Sequence, residues 1–244
     1  ADFESENFNG VVRMDNVERI ERGANSDLLI LADGRVFFYK SQGIETVPRL
    51  PDGIVDLSSS GSHVLALEAD GTVWSWGYNE SGRLGRVVDE GDMDPDNRYV
   101  ERPGKVTEMD IPPTFVRASG SFSAAGTGTE TMYIWGVISS GNILLRYDTP
   151  YAVSWGVVSD IAVGEDIIIL RSDGTVHRWN AEQAEMEPVS GLSGITAISA
   201  GESHYLALDG EGRVWSWGVN EYGQLGDGTS VDRDTPQIIS GLSG

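Results

Sequence analysis

Apolar positions fall in short runs of five to seven residues, rich in Val, Ile, Leu and Trp and bounded by Gly and Asp. Runs of that length with turn residues at both ends predict β-strands, and no stretch has the length and caps of a helix. The pairs Asp33-Gly34, Asp70-Gly71 and Asp173-Gly174 suit tight hairpins, because both residue types accept positive φ at low cost. The runs His63-Val64-Leu65-Ala66-Leu67 and Val73-Trp74-Ser75-Trp76-Gly77 are apolar at successive positions rather than alternate ones. A strand with one wet face alternates, so both faces of these strands must be covered.

The pattern repeats. Residues 54–85 and 195–226 share an apolar run, a small-residue turn, H-x-L-A-L, an acidic-Gly turn, V-W-S-W-G and G-x-L-G. Weaker copies lie at 17–39, 115–136 and 158–180. The residue opening the third run is Val36, Val73, Met132, Val176 and Val214, at spacings of 37, 59, 44 and 38. Pro- and Val-containing segments at 47–50, 104–107, 150–153, 188–190 and 236–240 supply a fourth strand to each unit, outermost because Pro is tolerated at a sheet edge. Residues 11–14 form a surplus sixth segment, placed to close a ring or add to another edge. Radially stacked sheets cover both faces of each strand. The expected fold is therefore all-β, a β-propeller of about five four-stranded blades, with an open arc of a larger propeller as the alternative. The units run 11–53, 54–113, 114–156, 157–194 and 195–244 within a single domain, with an insertion at 86–113. Small residues such as Ala66, Ser75, Ala207 and Ser216 let neighbouring blades approach, with the tryptophans filling the space opposite.

Composition narrows the function classes. With 38 acidic against 17 basic residues, the net charge is −21. That opposes binding to a phosphate backbone, which needs clustered Lys and Arg. The absence of cysteine excludes a disulfide scaffold, a thiol nucleophile and a cysteine zinc site. No apolar run is long enough to span a membrane as a helix. The opening Ala1-Asp2-Phe3 lacks an initiator Met and a signal peptide, as either a processed secreted protein or a trimmed chain would. The closing Gly241-Leu242-Ser243-Gly244 mirrors the segment 191–194 that leads into the fifth unit.

The run His204-Tyr205-Leu206-Ala207-Leu208, the run Gly212-Arg213-Val214-Trp215-Ser216-Trp217-Gly218, Asn220 and the run from Gly223 to Thr229 resemble the regulator-of-chromosome-condensation repeat family. The second unit matches nearly as well; units one, three and four keep only the strand pattern, and Tyr39 stands where unit one should carry Trp. The resemblance implies a β-propeller, usually of seven blades, so five units depart from it. Members include a nucleotide-exchange factor for a small nuclear GTPase that docks on nucleosomes, which the acidity here opposes. Others are bacterial secreted propellers that inhibit β-lactamases. A plant ultraviolet-B receptor of the same family uses clustered tryptophans, but its Gly-Trp-Arg-His pattern is missing here.

Catalytic motifs are lacking: there is no G-x-S-x-G, no H-E-x-x-H and no phosphate-cradling Gly-Lys loop. His63 and His204 occupy one repeat position and are read as structural, their rings tying adjacent turns. Trp76, Trp135, Trp179 and Trp217 recur at repeat spacing and are read as core; Trp155 stands outside that spacing, at a blade junction or exposed. The insertion holds eight carboxylates against four basic side chains. Within it Asp92, Asp94 and Asp96 alternate ahead of Asn97, a spacing that could converge oxygens on calcium in the 89–101 loop. Pro103 stands where a bidentate Glu would close such a site and Pro95 stiffens the loop, which favours an acidic solvated loop over a calcium site.

The leading functional expectation is a non-enzymatic protein–protein interaction scaffold whose loops carry the specificity. Tyr78, Arg83, Tyr99 and Tyr222 are its candidate partner-binding residues, with aromatics as exposed anchors. The partner is another protein, not a nucleic acid, and the chain does not insert in a membrane. Two alternatives remain: a structural surface or filament component that self-associates through open blade edges, and a secreted inhibitor of another protein. The extracellular space or surface of a bacterium is the expected location, with the cytoplasm as the other choice.

Overall fold

The computed structural model of the protein describes residues 7–8, 11–12, 16–22, 28–40, 43–94, 98–140, 143–180, 183 and 185–242. Among these, regular structure is strand, apart from single 3-10 turns at Glu80–Gly82 and Glu90–Asp92. A small hairpin, β1 (Asn7–Phe8) and β2 (Val11–Val12), comes first. Five four-stranded sheets, the blades of a β-propeller, follow. Blade one is β3 (Val17–Arg22), β4 (Leu28–Ala32), β5 (Arg35–Lys40) and β6 (Gly43–Thr46). Blade two is β7 (Ile54–Ser59), β8 (His63–Glu68), β9 (Val73–Tyr78) and β10 (Tyr99–Val106). Blade three is β11 (Phe115–Ser119), β12 (Phe122–Gly126), β13 (Thr131–Ser140) and β14 (Ile143–Ser154). Blade four is β15 (Val158–Val163), β16 (Ile167–Arg171), β17 (Val176–Asn180) and β18 (Glu185–Pro188). Blade five is β19 (Ile195–Ala200), β20 (His204–Asp209), β21 (Val214–Gly218) and β22 (Arg233–Ile238).

Strands pair in chain order, so each blade is a meander whose fourth strand is an edge. The outer strands start earlier than their prolines suggest: β6 ends before Val47, and β10 begins at Tyr99. Pro103 is accommodated in β10 by a register shift between Val100 and Gly104. The surplus segment is not a blade strand, because Val11 and Val12 pair with Phe8 and Asn7.

The chain divides into two compact units. The first holds residues Ala1–Ala125, Ile134–Gly136 and Tyr147–Tyr151; the second holds Gly126–Tyr133, Val137–Arg146 and Ala152–Gly244. In each, the core lies between blades. In the first, Val36, Phe38 and Val47 of blade one pack on Ile54, Leu57, Val64, Ala66 and Trp76 of blade two. In the second, Ile168, Leu170 and Val176 of blade four pack on Ile195, Tyr205, Ala207 and Trp217 of blade five. This face-to-face burial is why the middle strands read as continuous apolar runs.

A one-residue bulge recurs between the first two strands of blades one, two, four and five, before Arg19, Asp56, Asp160 and Ala197. In the first unit it aims Asp56 across to both neighbouring blades. The carboxylate pairs with Arg19 at 2.8 Å and Arg117 at 3.0 Å, and accepts the Val116 N–H.

Candidate functional site

The loop after the third strand is built by the same contacts in blades two and five. In blade five, Asn220 accepts the Leu225 N–H on its side-chain oxygen, and its amide donates to the Thr229 and Val231 carbonyls and to Asp227. Leu225 is buried, and its carbonyl accepts the Ser216 hydroxyl at 2.9 Å. Gly223 and Gly226 close successive turns at φ 75° and 67°, a region costly for residues with a Cβ. Blade two repeats this with Asn79, Ser75, Leu84, Gly82 and Gly85. The serines therefore hold the loop by hydrogen bonds as well as leaving room between blades.

Asp227 reinforces the blade-five loop. It accepts from Thr229 and pairs with Arg233 through two nitrogens, at 3.0 and 2.8 Å. Those bonds, the Thr229 ones foremost, hold its carboxyl well below the usual range. On this fixed loop Tyr222 is 90% exposed.

The blade-two loop closes the junction with blade three. The Arg83 carbonyl accepts both the Ser123 hydroxyl at 2.8 Å and the Trp135 indole N–H at 2.9 Å. Ser123 uses its only hydrogen there, so the His63 Nε2–H donates to Ser123 Oγ, at 2.7 Å, and His63 Nδ1 accepts from Ser60 at 2.9 Å. Burial first, and the nearby Arg83 guanidinium second, push the His63 pKa down to about 3, so the ring is neutral. Gly85 lies flat on the Trp135 ring, where a Cβ would come within 2.6 Å of Nε1. Arg83 itself is not an exposed anchor. It is buried, and its guanidinium donates to Ser62, Ser121 and the Glu80 carbonyl. Tyr78 and Tyr99 are half-buried against one another as an edge-to-face pair at 5.1 Å, on opposed positions of β9 and β10. Of the expected aromatic anchors, only Tyr222 stands free of its surroundings as an exposed side chain.

The equivalent junction between blades four and five differs. β17 ends at Asn180 and β18 begins at Glu185, so the four residues between them are too few for a loop of this length. A cleft of about 610 Å³ is found there, lined by residues of both blades including Trp217. Tyr205 takes the place of Ser123 and stacks on Trp217 with ring centroids 5.5 Å apart. Its hydroxyl accepts the Asp166 N–H at 2.8 Å, and burial pushes its pKa up to about 12. Arg178 takes the place of Ser75 and Ser216, and bridges Asp166 at 3.4 Å and Glu187 at 2.9 Å. Composition and periodicity missed this cleft. The one local signal is Val176-His177-Arg178-Trp179-Asn180, where better repeats read V-W-S-W-G.

Trp76, Trp135, Trp179 and Trp217 are all buried. Trp155 is buried too and lies against Trp179 at 5.4 Å, at a junction rather than in solvent. His204 is only half-buried, and its ring occupies the space where a Cβ on Gly201 would fall. Gly201 replaces Ser60, the residue that bonds the His63 ring in blade two. The buried His177 Nδ1 has no partner among the described residues. His177 and Arg171 replace the Trp–carboxylate pairs Trp74–Glu68 and Trp215–Asp209 of blades two and five. Burial and the Arg171 charge accordingly keep His177 below its ordinary pKa. In the acidic insertion, Asp92 pairs with Arg102 at 3.4 Å, and the Asp94 backbone bonds Arg98 and Tyr99. Asp96 lies outside the described residues. Among those described, no group of three His, Asp or Glu side chains is placed to hold a metal ion. Nor is any helix among them long and apolar enough to cross a membrane.

Comparison with known proteins matches the units that carry this loop. Two sequence models of the regulator of chromosome condensation (RCC1) repeat match, one at residues 54–83 and 195–224, the other at 70–125 and 211–244. Protein pim1 of Schizosaccharomyces pombe is 31% identical over 230 residues, 79% of this chain and 42% of pim1. The guanine nucleotide exchange factor SRM1 of Saccharomyces cerevisiae is 27% identical over 236 residues, 76% of this chain and 49% of SRM1. The chain thus spans less than half of either relative. The crystal structure of Prp20p from Saccharomyces cerevisiae, described with its binding to Gsp1p and histones, superposes with a TM-score of 0.66 at 25% identity, over 80% of this chain and 52% of Prp20p.

Proposed function

Because this chain belongs to the regulator of chromosome condensation (RCC1) repeat family, we propose that it is a non-enzymatic scaffold that binds another protein through its inter-strand loops. The observation that carries this reading is the blade-five loop: a buried Asn220 and the Asp227–Arg233 pair hold it fixed, and it presents Tyr222 almost fully exposed. A rigid aromatic loses little entropy on binding and is the kind of residue that anchors interfaces. That Prp20p is described as binding Gsp1p and histones supports protein binding as the mode. The partner here is set by this chain's own loops.

The test is affinity capture from an extract of the source organism, with wild type and Tyr222→Ala as baits. The proposal expects a specific prey that Tyr222→Ala loses while its melting temperature stays unchanged. Asn220→Asp would place a carboxylate against Asp227 and two carbonyls, and should also lose the prey. Prey retained by both variants would overturn the reading. Light scattering separates it from self-association through blade edges, which would show concentration-dependent oligomers.

A further inference from the structure

We infer that the cleft between blades four and five receives a basic side chain, arginine or lysine, from a polypeptide partner. The inference rests on the scaffold reading and adds the chemistry of what is bound.

Three features of the cleft point the same way. Its volume, about 610 Å³, lies within the usual range for ligand pockets. It is lined in part by a stacked aromatic pair, Tyr205 and Trp217, both largely buried, which gives it an apolar border beside the carboxylates. Its charge is unbalanced: five carboxylates line it against two guanidiniums, and both guanidiniums are already engaged. Arg178 is held by Asp166 and Glu187, and Arg233 by Asp227. Glu165 and Asp234 form no ion pair among the described residues, and the Asp232 carboxylate accepts only the Asn220 N–H. A concave site with one sign of charge focuses its field on an incoming counter-ion, and the net charge of −21 draws basic segments from further away.

Other occupants fit less well. A phosphate backbone is repelled by this lining. A neutral apolar ligand would strip water from carboxylates without pairing them. A guanidinium or ammonium group satisfies the carboxylates, and its methylene stem suits the apolar part of the lining, such as Val189, Val219 and Pro236. The repeat pattern explains why the cleft exists here. Where unit two supplies the Arg83 carbonyl and Gly85 against Trp135, unit four has only four residues between its third and fourth strands, and among the described residues none of them lines the cleft beside Trp217.

The probe is the pentapeptide acetyl-Gly-Gly-Arg-Gly-Gly-amide, titrated into the full chain, with its citrulline twin as a neutral isostere. The readout is the assigned indole N–H resonance of Trp217. The expected result is a saturable shift at Trp217 with the arginine peptide, and on the order of tenfold weaker binding of the citrulline peptide. Glu165→Gln with Asp234→Asn, both surface changes, should weaken the arginine peptide several-fold and leave melting temperature unchanged. Equal shifts with the two peptides, or arginine binding unaffected by the double variant, would overturn the inference. The scaffold reading fails separately: a prey retained by Tyr222→Ala counts against it, while a prey lost by Tyr222→Ala with no peptide shift at Trp217 counts against the cleft alone.

Discussion

The junction between blades two and three and the junction between blades four and five start from the same repeat and end differently. Both place a tryptophan at the same strand position, Trp135 and Trp217. In the first, the preceding blade's loop brings a backbone carbonyl onto the indole N–H, and a chain of buried bonds runs from Ser60 through His63 and Ser123 to Arg83. In the second the connection is too short for that loop, and the Asp166 N–H bonds the Tyr205 hydroxyl while the Glu165 N–H bonds the Glu202 carbonyl across the blades. Both junctions have a core, but in the first a loop caps the tryptophan and in the second the core borders a lined cleft. The strand pattern sets where a blade goes, but one connection decides whether the junction beside it is sealed or open to a ligand.

The largest expected effect tests that contrast directly. Trp135 is fully buried, so Trp135→Ala should cost about 3–5 kcal/mol by urea denaturation. Trp217→Ala should cost less, because that ring borders a cleft, whereas Trp135 is enclosed and also loses its bond to the Arg83 carbonyl. Equal losses would show the two junctions to be energetically alike.

Next comes acid sensitivity of the sealed junction. His63 is held neutral in the folded chain, with its pKa lowered to about 3 from an unfolded value of 6.5. The unfolded chain therefore binds the extra proton as pH falls through that window. Stability is unaffected above pH 6.5 and should fall by about 1.4 kcal/mol per pH unit below it, levelling off as the folded pKa is reached. In His63→Gln the slope between pH 6 and 4.5 should flatten, leaving the smaller contribution of His177, whose pKa is lowered in the same direction. An unchanged slope would remove His63 from the account.

A third pair of variants separates backbone strain from packing. Gly85→Ala and Gly226→Ala both force a Cβ into positive φ. At Gly85 the added carbon also strikes the Trp135 ring at 2.6 Å, whereas at Gly226 the nearest atom is an Ile239 side-chain carbon at 3.7 Å. Gly85→Ala should therefore be the more destabilising by about 1–3 kcal/mol, read as a difference in urea midpoint. The smallest effect belongs to Arg178→Met. Its ion pairs are substantially exposed, so stability should change by no more than about 1 kcal/mol. The same change frees Asp166 and Glu187, and should strengthen binding of the arginine peptide.

How much of this was legible in the sequence varies with how local the cause is. The loop signature Asn220, Gly223, Leu225, Gly226 is legible because each residue acts within a few positions of itself: an amide that spans the loop, two positive-φ turns and one buried side chain. Arg83, a candidate partner-binding residue by sequence, is buried in the structure. An arginine in a loop looks exposed until Ser62 and Ser121 converge on it from elsewhere in the chain. Tyr78 and Tyr99 are half-buried for the same reason, because the outer strand begins at Tyr99 and lays the two rings together.

The amino-acid sequence by itself determined the five blades, their strand order and their buried tryptophans. Alternation, turn residues and repeat spacing are short-range properties that every copy states again. Only packing between blades settles which buried tryptophan is capped by a neighbouring loop and which borders a cleft. That outcome depends on residues more than 30 positions apart, such as Asp166 with Tyr205 and Arg83 with Trp135. It depends also on a loop that one unit lacks, and that loss becomes visible only when the neighbouring blade is placed against it.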